Sequence, residues 1–254
     1  MSESLLDALL ARRGLVCAVG AGGKKTTLGR LFRAHPGRVA LTATCHTMPF
    51  PVDLDATVVT GPQDAVAAAV AAAATRTGRL AFAGPPAKKG RLSPLDPELV
   101  ARLHTEGDFD ATLVKADGAR TRSIKAPGDG EPNLPPCTDT VIFVVSAAAL
   151  GRPLDDRLAH RPERLAAVTG AVPGAPLECQ HLAALLASPQ GAGRQLGTAR
   201  LVGLVNQVDN PQRRALAAQV AELALASGGA LDRVVLACMR AEEPVLQVFH
   251  RAPV

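Results

Sequence analysis

The sequence predicts an α/β protein, with a mostly parallel sheet flanked by helices. Three observations carry that expectation. Apolar runs of strand length recur along the chain, separated by helical or loop sequence. Several of these runs are continuous rather than alternating, as strands covered on both faces require. A glycine-rich turn follows the first run at once, where open parallel sheets place their ligands.

Taken in order, the segment MSESLLDALLARR carries acids early and lacks a long apolar stretch. It reads as a short amphipathic helix, not a secretory signal. Strands are expected at Leu15–Val19, Arg38–Thr44, Ala56–Thr60 and Arg79–Gly84. Four more are expected at Ala111–Asp117, Thr140–Ser146, Arg200–Gln207 and Asp232–Cys238. Leu28, Leu31 and Phe32 share a helical face after the first strand, and Leu216, Val220 and Leu223 share one late in the chain. Asn210 followed by Pro211 is a helix start, with a capping side chain and proline in the first turn. Strand-helix alternation implies right-handed crossovers. The run Ala65–Ala74 is too short and too weakly apolar to span a bilayer. Proline and glycine cluster in Ala126–Pro136, read as part of an ordered functional loop at about 118–136 inserted in a single domain over 1–254.

Composition narrows the function classes. A chain of 254 residues, 47% of them apolar, can bury a substantial core. Trp and Tyr are absent, so that core rests on Leu, Val, Ala and a few Phe. The net charge is +5, and the basic residues are scattered or sit in Arg120–Lys125 without interleaved aromatics. That argues against nucleic-acid binding and points to anionic small molecules. The five cysteines, Cys17, Cys45, Cys137, Cys179 and Cys238, are an odd number with no CxxC pair. A disulfide framework and a structural zinc site are therefore not expected, and a reducing cytoplasm is.

The turn after the first strand reads GAGGKKTT, Gly20 to Thr27. A phosphate loop reads GxxxxGK[ST]: amides wrap the phosphates, the lysine reaches the outer ones, and the hydroxyl binds Mg²⁺. With Lys24 as the lysine, Gly23 fits but Lys25 stands where the hydroxyl belongs. With Lys25 as the lysine, Thr26 fits but both glycine positions are lost. A dinucleotide fingerprint fails because Lys25 takes the third glycine place and no acid closes the second strand. Three glycines, two lysines and two threonines at a helix start, Gly20, Ala21, Gly22, Gly23, Lys24, Lys25, Thr26 and Thr27, are most economically an anion site.

Further motifs lie at other strand ends. TLVKADGAR ends a strand in Asp117, which could hold Mg²⁺ or serve as a turn residue before Gly118. The loop DGARTRSIKAPGDGEPNLPP concentrates Arg120, Arg122, Lys125 and Glu131 among prolines. Its arginines suit phosphate charge, the alternative being a solvated basic loop. LVNQVD places Asn206 and Asp209 at the spacing of the guanine-reading NKxD motif, with Gln207 in place of its lysine; the alternative is a strand-end turn. TATCHTM sets His46 at the end of the second strand as an acid-base or anion-binding candidate, and Cys45 beside it as a packing residue or thiol. HRPER, His160 to Arg164, is a helix-start cluster or a second positive wall.

In order along the chain, GAGGKKTTL, TATCHTM, KKGRLSPLDPE, VKADGARTRSIKAPGDGEPNLPP, ALGRPLDDRLAHRPE and LVNQVD resemble the YqeC family, accessory proteins of selenium-dependent molybdenum hydroxylases. The resemblance implies a P-loop NTPase-like three-layer fold and a cytoplasmic role in maturing a molybdenum hydroxylase or its cofactor. It aligns the family's GAGGKT lysine with Lys24, so Thr26 becomes the displaced hydroxyl ligand. Gly130 stands where the family commonly has a histidine. Under this reading ATP or GTP and Mg²⁺ are the cofactors. Lys24, the loop, Asn206 and Asp209 hold the nucleotide; Thr26 and Asp117 hold the metal; Asp117, Arg120, Lys125 and His46 are the catalytic candidates. The alternatives are a nucleotide-sensing chaperone without turnover, and a small-molecule kinase or nucleotidyltransferase acting on a pterin-type cofactor.

Overall fold

A computed structural model describes residues 3–251, so the first two residues of the amphipathic segment lie outside the described residues. The short helix α1 (Leu5–Ala8) leads into β1 (Gly14–Gly20) and α2 (Lys24–Ala34). Next come β2 (Val39–Ala43), β3 (Thr57–Thr60), α3 (Gln63–Ala74) and β4 (Arg79–Ala83). A small hairpin of β5 (Pro86–Ala87) and β6 (Arg91–Leu92) precedes α4 (Pro97–Glu106) and β7 (Ala111–Lys115). The middle of the chain forms β8 (Ile124–Lys125), β9 (Thr140–Ser146), β10 (Ala159–His160), α5 (Pro162–Thr169) and α6 (Cys179–Ala187). It closes with β11 (Arg200–Asn206), α7 (Pro211–Ala226), β12 (Leu231–Ala237) and β13 (Val245–His250).

Nine of these strands form one sheet in the order β13-β12-β11-β9-β1-β7-β2-β4-β3. Every neighbouring pair is parallel except β12 with β13, which is antiparallel. The eight runs expected as strands are the eight parallel ones, each within two residues of its expected ends.

Burial explains why those runs are continuous. Leu15, Cys17 and Val19 of β1 face a core built with Val66 and Val70 of α3, Val100 of α4, Leu165 of α5, Leu182 of α6 and Val220 of α7. The alternate residues Val16 and Ala18 face a second core with Leu28, Leu31 and Phe32 of α2 and Leu6 of α1. Both sides of the strand are covered, so neither set of positions tolerates a polar residue. On α7 the buried stripe runs through Ala217, Val220, Ala221 and Ala224, while Leu223 is 39% exposed. The small alanines let α7 sit close against α6, which turns the expected leucine outward.

Two features fix the region around the site. The loop after β7 is ordered: β8 pairs with β10, and Asn133 N–H donates to the Ala116 carbonyl at 3.0 Å. Thr44, just past β2, donates through Oγ1 to the Asn133 carbonyl at 2.6 Å. The proline-rich stretch is thus sewn onto the carboxyl ends of β7 and β2.

Candidate functional site

At the carboxyl end of β1 the chain turns into α2 through Gly20, Ala21, Gly22 and Gly23. Gly20 takes φ 83° against the Val144 carbonyl of β9, and Gly23 takes φ 134° beside the Asn206 amide. A side chain at either would meet those atoms in a conformation L residues avoid. Glycine is therefore dictated by local geometry.

Lys24 opens α2 with its side chain turned under the loop, 5% exposed. Its ammonium donates to the Gly20 carbonyl and pairs with Asp117 Oδ1 at 2.7 Å. Asp117 follows β7, the strand next to β1, and is 2% exposed. Its Oδ2 accepts from Gly20 N at 2.8 Å and forms an ion pair with Lys125 Nζ at 2.9 Å. Lys125, fully buried on β8, also donates to the Gly118 carbonyl at 2.8 Å and to Glu131 Oε2 at 2.7 Å. Glu131 Oε2 takes further bonds from Arg161 at 2.7 Å and Gly128 N at 3.0 Å. A chain of alternating charges, Lys24–Asp117–Lys125–Glu131–Arg161, thus runs behind the loop.

Burial of this chain shifts its members. Desolvation pushes the Lys24 ammonium down, opposed by Asp117. Desolvation raises the Glu131 carboxyl, but bonds from Lys125, Arg161 and Gly128 outweigh it and hold the group at about 2. In the middle of the chain Lys125 lies between Asp117 and Glu131, each within ion-pair distance.

In front of the loop lies a cavity of about 590 Å³. Lys24 and Lys25 form its floor, Lys115 and Arg91 one side. Arg120 and Arg122 reach it from the loop after β7, and Arg240 from beyond β12. Among the described residues Asp209 is the single acid lining it, and both its oxygens are held by Arg213 at 2.6 and 2.8 Å. Arg120 and Thr121 adopt φ of 45° and 61°, consecutive left-handed residues at the cavity wall. Such backbone strain is concentrated at functional sites.

The fold gathers most of the residues the sequence singles out. Gly22, Gly23, Lys24, Lys25, Thr26, His46, Arg120, Asn206 and Asp209 all line this cavity, with Lys25, Thr26 and His46 exposed. Gly20 and Ala21 shape the loop from behind, and Thr27 is buried with Oγ1 donating to the Gly23 carbonyl at 3.1 Å.

Three placements differ from expectation. Lys125 sits behind the loop and does not line the cavity, because Asp117, Glu131 and the Gly118 carbonyl consume its donors; its part is to position Asp117. Asp117 likewise stands beneath the cavity: Oδ2 accepts from Gly20 N, while Oδ1 is buried with no hydrogen-bond donor among the described residues and only the ion pair to Lys24. Asn206 is committed at both ends of its amide: Nδ2 donates to the Gly22 carbonyl at 2.8 Å, and Oδ1 accepts from Met239 N at 3.1 Å. It ties the loop to the end of β12 instead of facing outward. Of the two readings of HRPER the structure has the helix start: Arg161 is the N-cap of α5, and His160 and Arg161 stand with Glu131.

Sequence reasoning passed over Arg91, Lys115 and Arg240 as site residues. Lys115 Nζ reaches the Cys45 sulfur at 2.8 Å and the His46 carbonyl at 2.9 Å. Desolvation pushes the Cys45 thiol up, and Lys115 opposes it. A lysine ending an apolar strand was the available signal for Lys115. All five cysteines are free.

Fold and site together define an α/β protein with a strongly basic cleft at the carboxyl ends of a parallel sheet. The chain belongs to the YqeC family: residues 16–163 match the family model described as YqeC protein. It is also 30% identical over 188 residues to the uncharacterized protein YqeC of Escherichia coli strain K12, covering 71% of this chain and 70% of that one.

Proposed function

We propose that this protein binds a nucleoside triphosphate at the Gly20–Thr27 loop and uses it in the maturation of a selenium-dependent molybdenum hydroxylase or its cofactor. The observation that carries the binding half is the loop itself. A glycine turn after a central parallel strand delivers Lys24 and the first amides of α2 to a cavity lined by six further basic residues. Amides at a helix start and converging cations favour a polyanion over any neutral ligand. The maturation half rests on the family resemblance.

In this reading the fold is of the P-loop NTPase type. Lys24 and the loop amides hold the phosphates, Lys24 exchanging its pairing with Asp117 for the ligand. Arg120 offsets charge as it develops on the transferred group, and His46 stands at the rim for proton handling. Phosphoryl chemistry asks little more of a protein than such positioning and electrostatics. Lys25, standing in the hydroxyl position, favours a second reading in which the nucleotide is sensed and not turned over. The test is titration with fluorescent ATP and GTP, alongside measurement of released phosphate. Binding that Lys24→Ala weakens at least tenfold supports the site. Equal affinity in the variant removes it, and binding without phosphate release selects the sensing reading.

A further inference from the structure

Phosphate loops ordinarily work with Mg²⁺, and the ligands expected here are Thr26 and Asp117. The residues present do not fit that ion. A hard dication takes oxygens that are free to coordinate it, carboxylates foremost among the side chains. Both oxygens of Asp117 are in contact with ammonium groups, Lys24 at 2.7 Å and Lys125 at 2.9 Å, and Gly20 N–H also donates to Oδ2 at 2.8 Å. Lys125 is fully buried and held from three sides, so it stays on the carboxylate even when Lys24 swings to a ligand. The position after Lys24 holds Lys25 in place of the hydroxyl that carries the metal. Thr26 lies one residue further, about 100° around α2 from that position. The hydroxyl of Thr27 is turned back onto the Gly23 carbonyl. Among the described residues no group of three His, Cys, Asp or Glu is placed to hold a metal ion.

What stands at the metal's place is cationic. Lys25 is exposed on the first turn of α2 and lines the cavity with Lys24, Lys115 and Arg120. We propose that the loop holds its polyphosphate without a divalent cation, the Lys25 ammonium supplying the charge that a bound metal supplies elsewhere. This rests on the polyphosphate reading above. A compact ammonium on a flexible stem suits the task, because it follows phosphate oxygens without a fixed coordination geometry. Partial burial and the neighbouring Lys115 push the Lys25 ammonium down in the free protein, and an anion between them offsets both effects.

The probe is inorganic triphosphate, titrated calorimetrically into the full chain with excess EDTA or with Mg²⁺. The proposal expects affinity in EDTA equal to or better than affinity with Mg²⁺. It expects Lys25→Thr to bind at least tenfold more weakly in EDTA and to recover when Mg²⁺ is added, and Lys25→Arg to stay metal-independent. A native protein whose affinity rises tenfold or more on adding Mg²⁺ overturns it while leaving the polyphosphate site intact. So does a Lys25→Thr variant that binds in EDTA as tightly as the native chain. Native protein that ignores triphosphate under both conditions overturns the binding reading as well, so the two failures are told apart.

Discussion

Glu131 does not line the cavity, yet its carboxylate anchors the ion chain behind the glycine loop. Its carboxyl is held at about 2, below its ordinary 4.5, by donors that prevail over its own desolvation. A depressed carboxyl contributes stability above its unfolded pKa and loses it as pH falls from about 4.5 toward 2. Discounted for partial exposure, the contribution is on the order of 2 kcal/mol. Denaturant unfolding between pH 7 and pH 3 should show that loss in the native chain and a flatter profile in Glu131→Gln. Lys125→Met goes further, since it leaves Asp117 and Glu131 facing each other without the cation between them. Breaking a buried pair in this way costs about 3–5 kcal/mol, read as a lowered denaturation midpoint; a cost under ~1 kcal/mol would show that the ion chain does not hold the loop. At this scale the sequence exposes Lys24, Asp117 and Lys125, because motif spacing marks them. It hides that Lys125 points inward and that Arg161, 30 residues from Glu131 along the chain, meets its carboxylate. Burial and long-range pairing are not written in local spacing.

Among elements, legibility follows coverage. Seven of the eight parallel strands stand out because they are buried and apolar along most of their length, whereas β3, exposed at the other sheet edge, shows only through its β-branched run TVVT. β13 escapes notice because it is half exposed along its length, an antiparallel edge pairing only with β12. The two-residue ladders β8–β10 and β5–β6 are too short to leave any periodicity. The junction of α2 with β11 carries its own prediction. Asn206 fastens Gly22 to Met239, so Asn206→Ala leaves a part-buried carbonyl and a buried N–H without partners. Each costs about 1–3 kcal/mol. A loosened loop weakens ATP and GTP binding alike. A base-reading asparagine would instead lose guanine and spare adenine, so parallel titrations of the variant separate the two roles. On α7, Asn210 accepts from Arg213 N at 2.9 Å as the N-cap. Asn210→Ala should cost about 1 kcal/mol of stability, measured by denaturant unfolding, without touching ligand affinity.

For the whole molecule, strand order is what the sequence leaves open. Nothing local says that β7 and β9 flank β1, yet that arrangement alone brings Asp117 and the Asn206 end of β11 to the glycine loop. The resemblance supplies the motifs, and the topology turns them into one cleft. It also sorts the charges into two sets with different environments. Lys125 and Asp117 are wrapped in protein and Glu131 is partly covered, whereas Lys25, Arg91 and Arg120 face solvent around the cavity. Salt distinguishes them, because the screening length falls from about 10 Å at 0.1 M to about 3 Å at 1 M and acts chiefly on exposed charges. Raising NaCl across that range should weaken triphosphate binding by roughly tenfold or more, since several solvated cations act together on one polyanion. The unfolding midpoint over the same range should hold steady or rise, because the buried pairs are shielded from the added ions. Binding that ignores salt would mean the cavity cations do not hold the ligand. A midpoint that collapses with salt would mean the ion chain is more open to water than its burial implies.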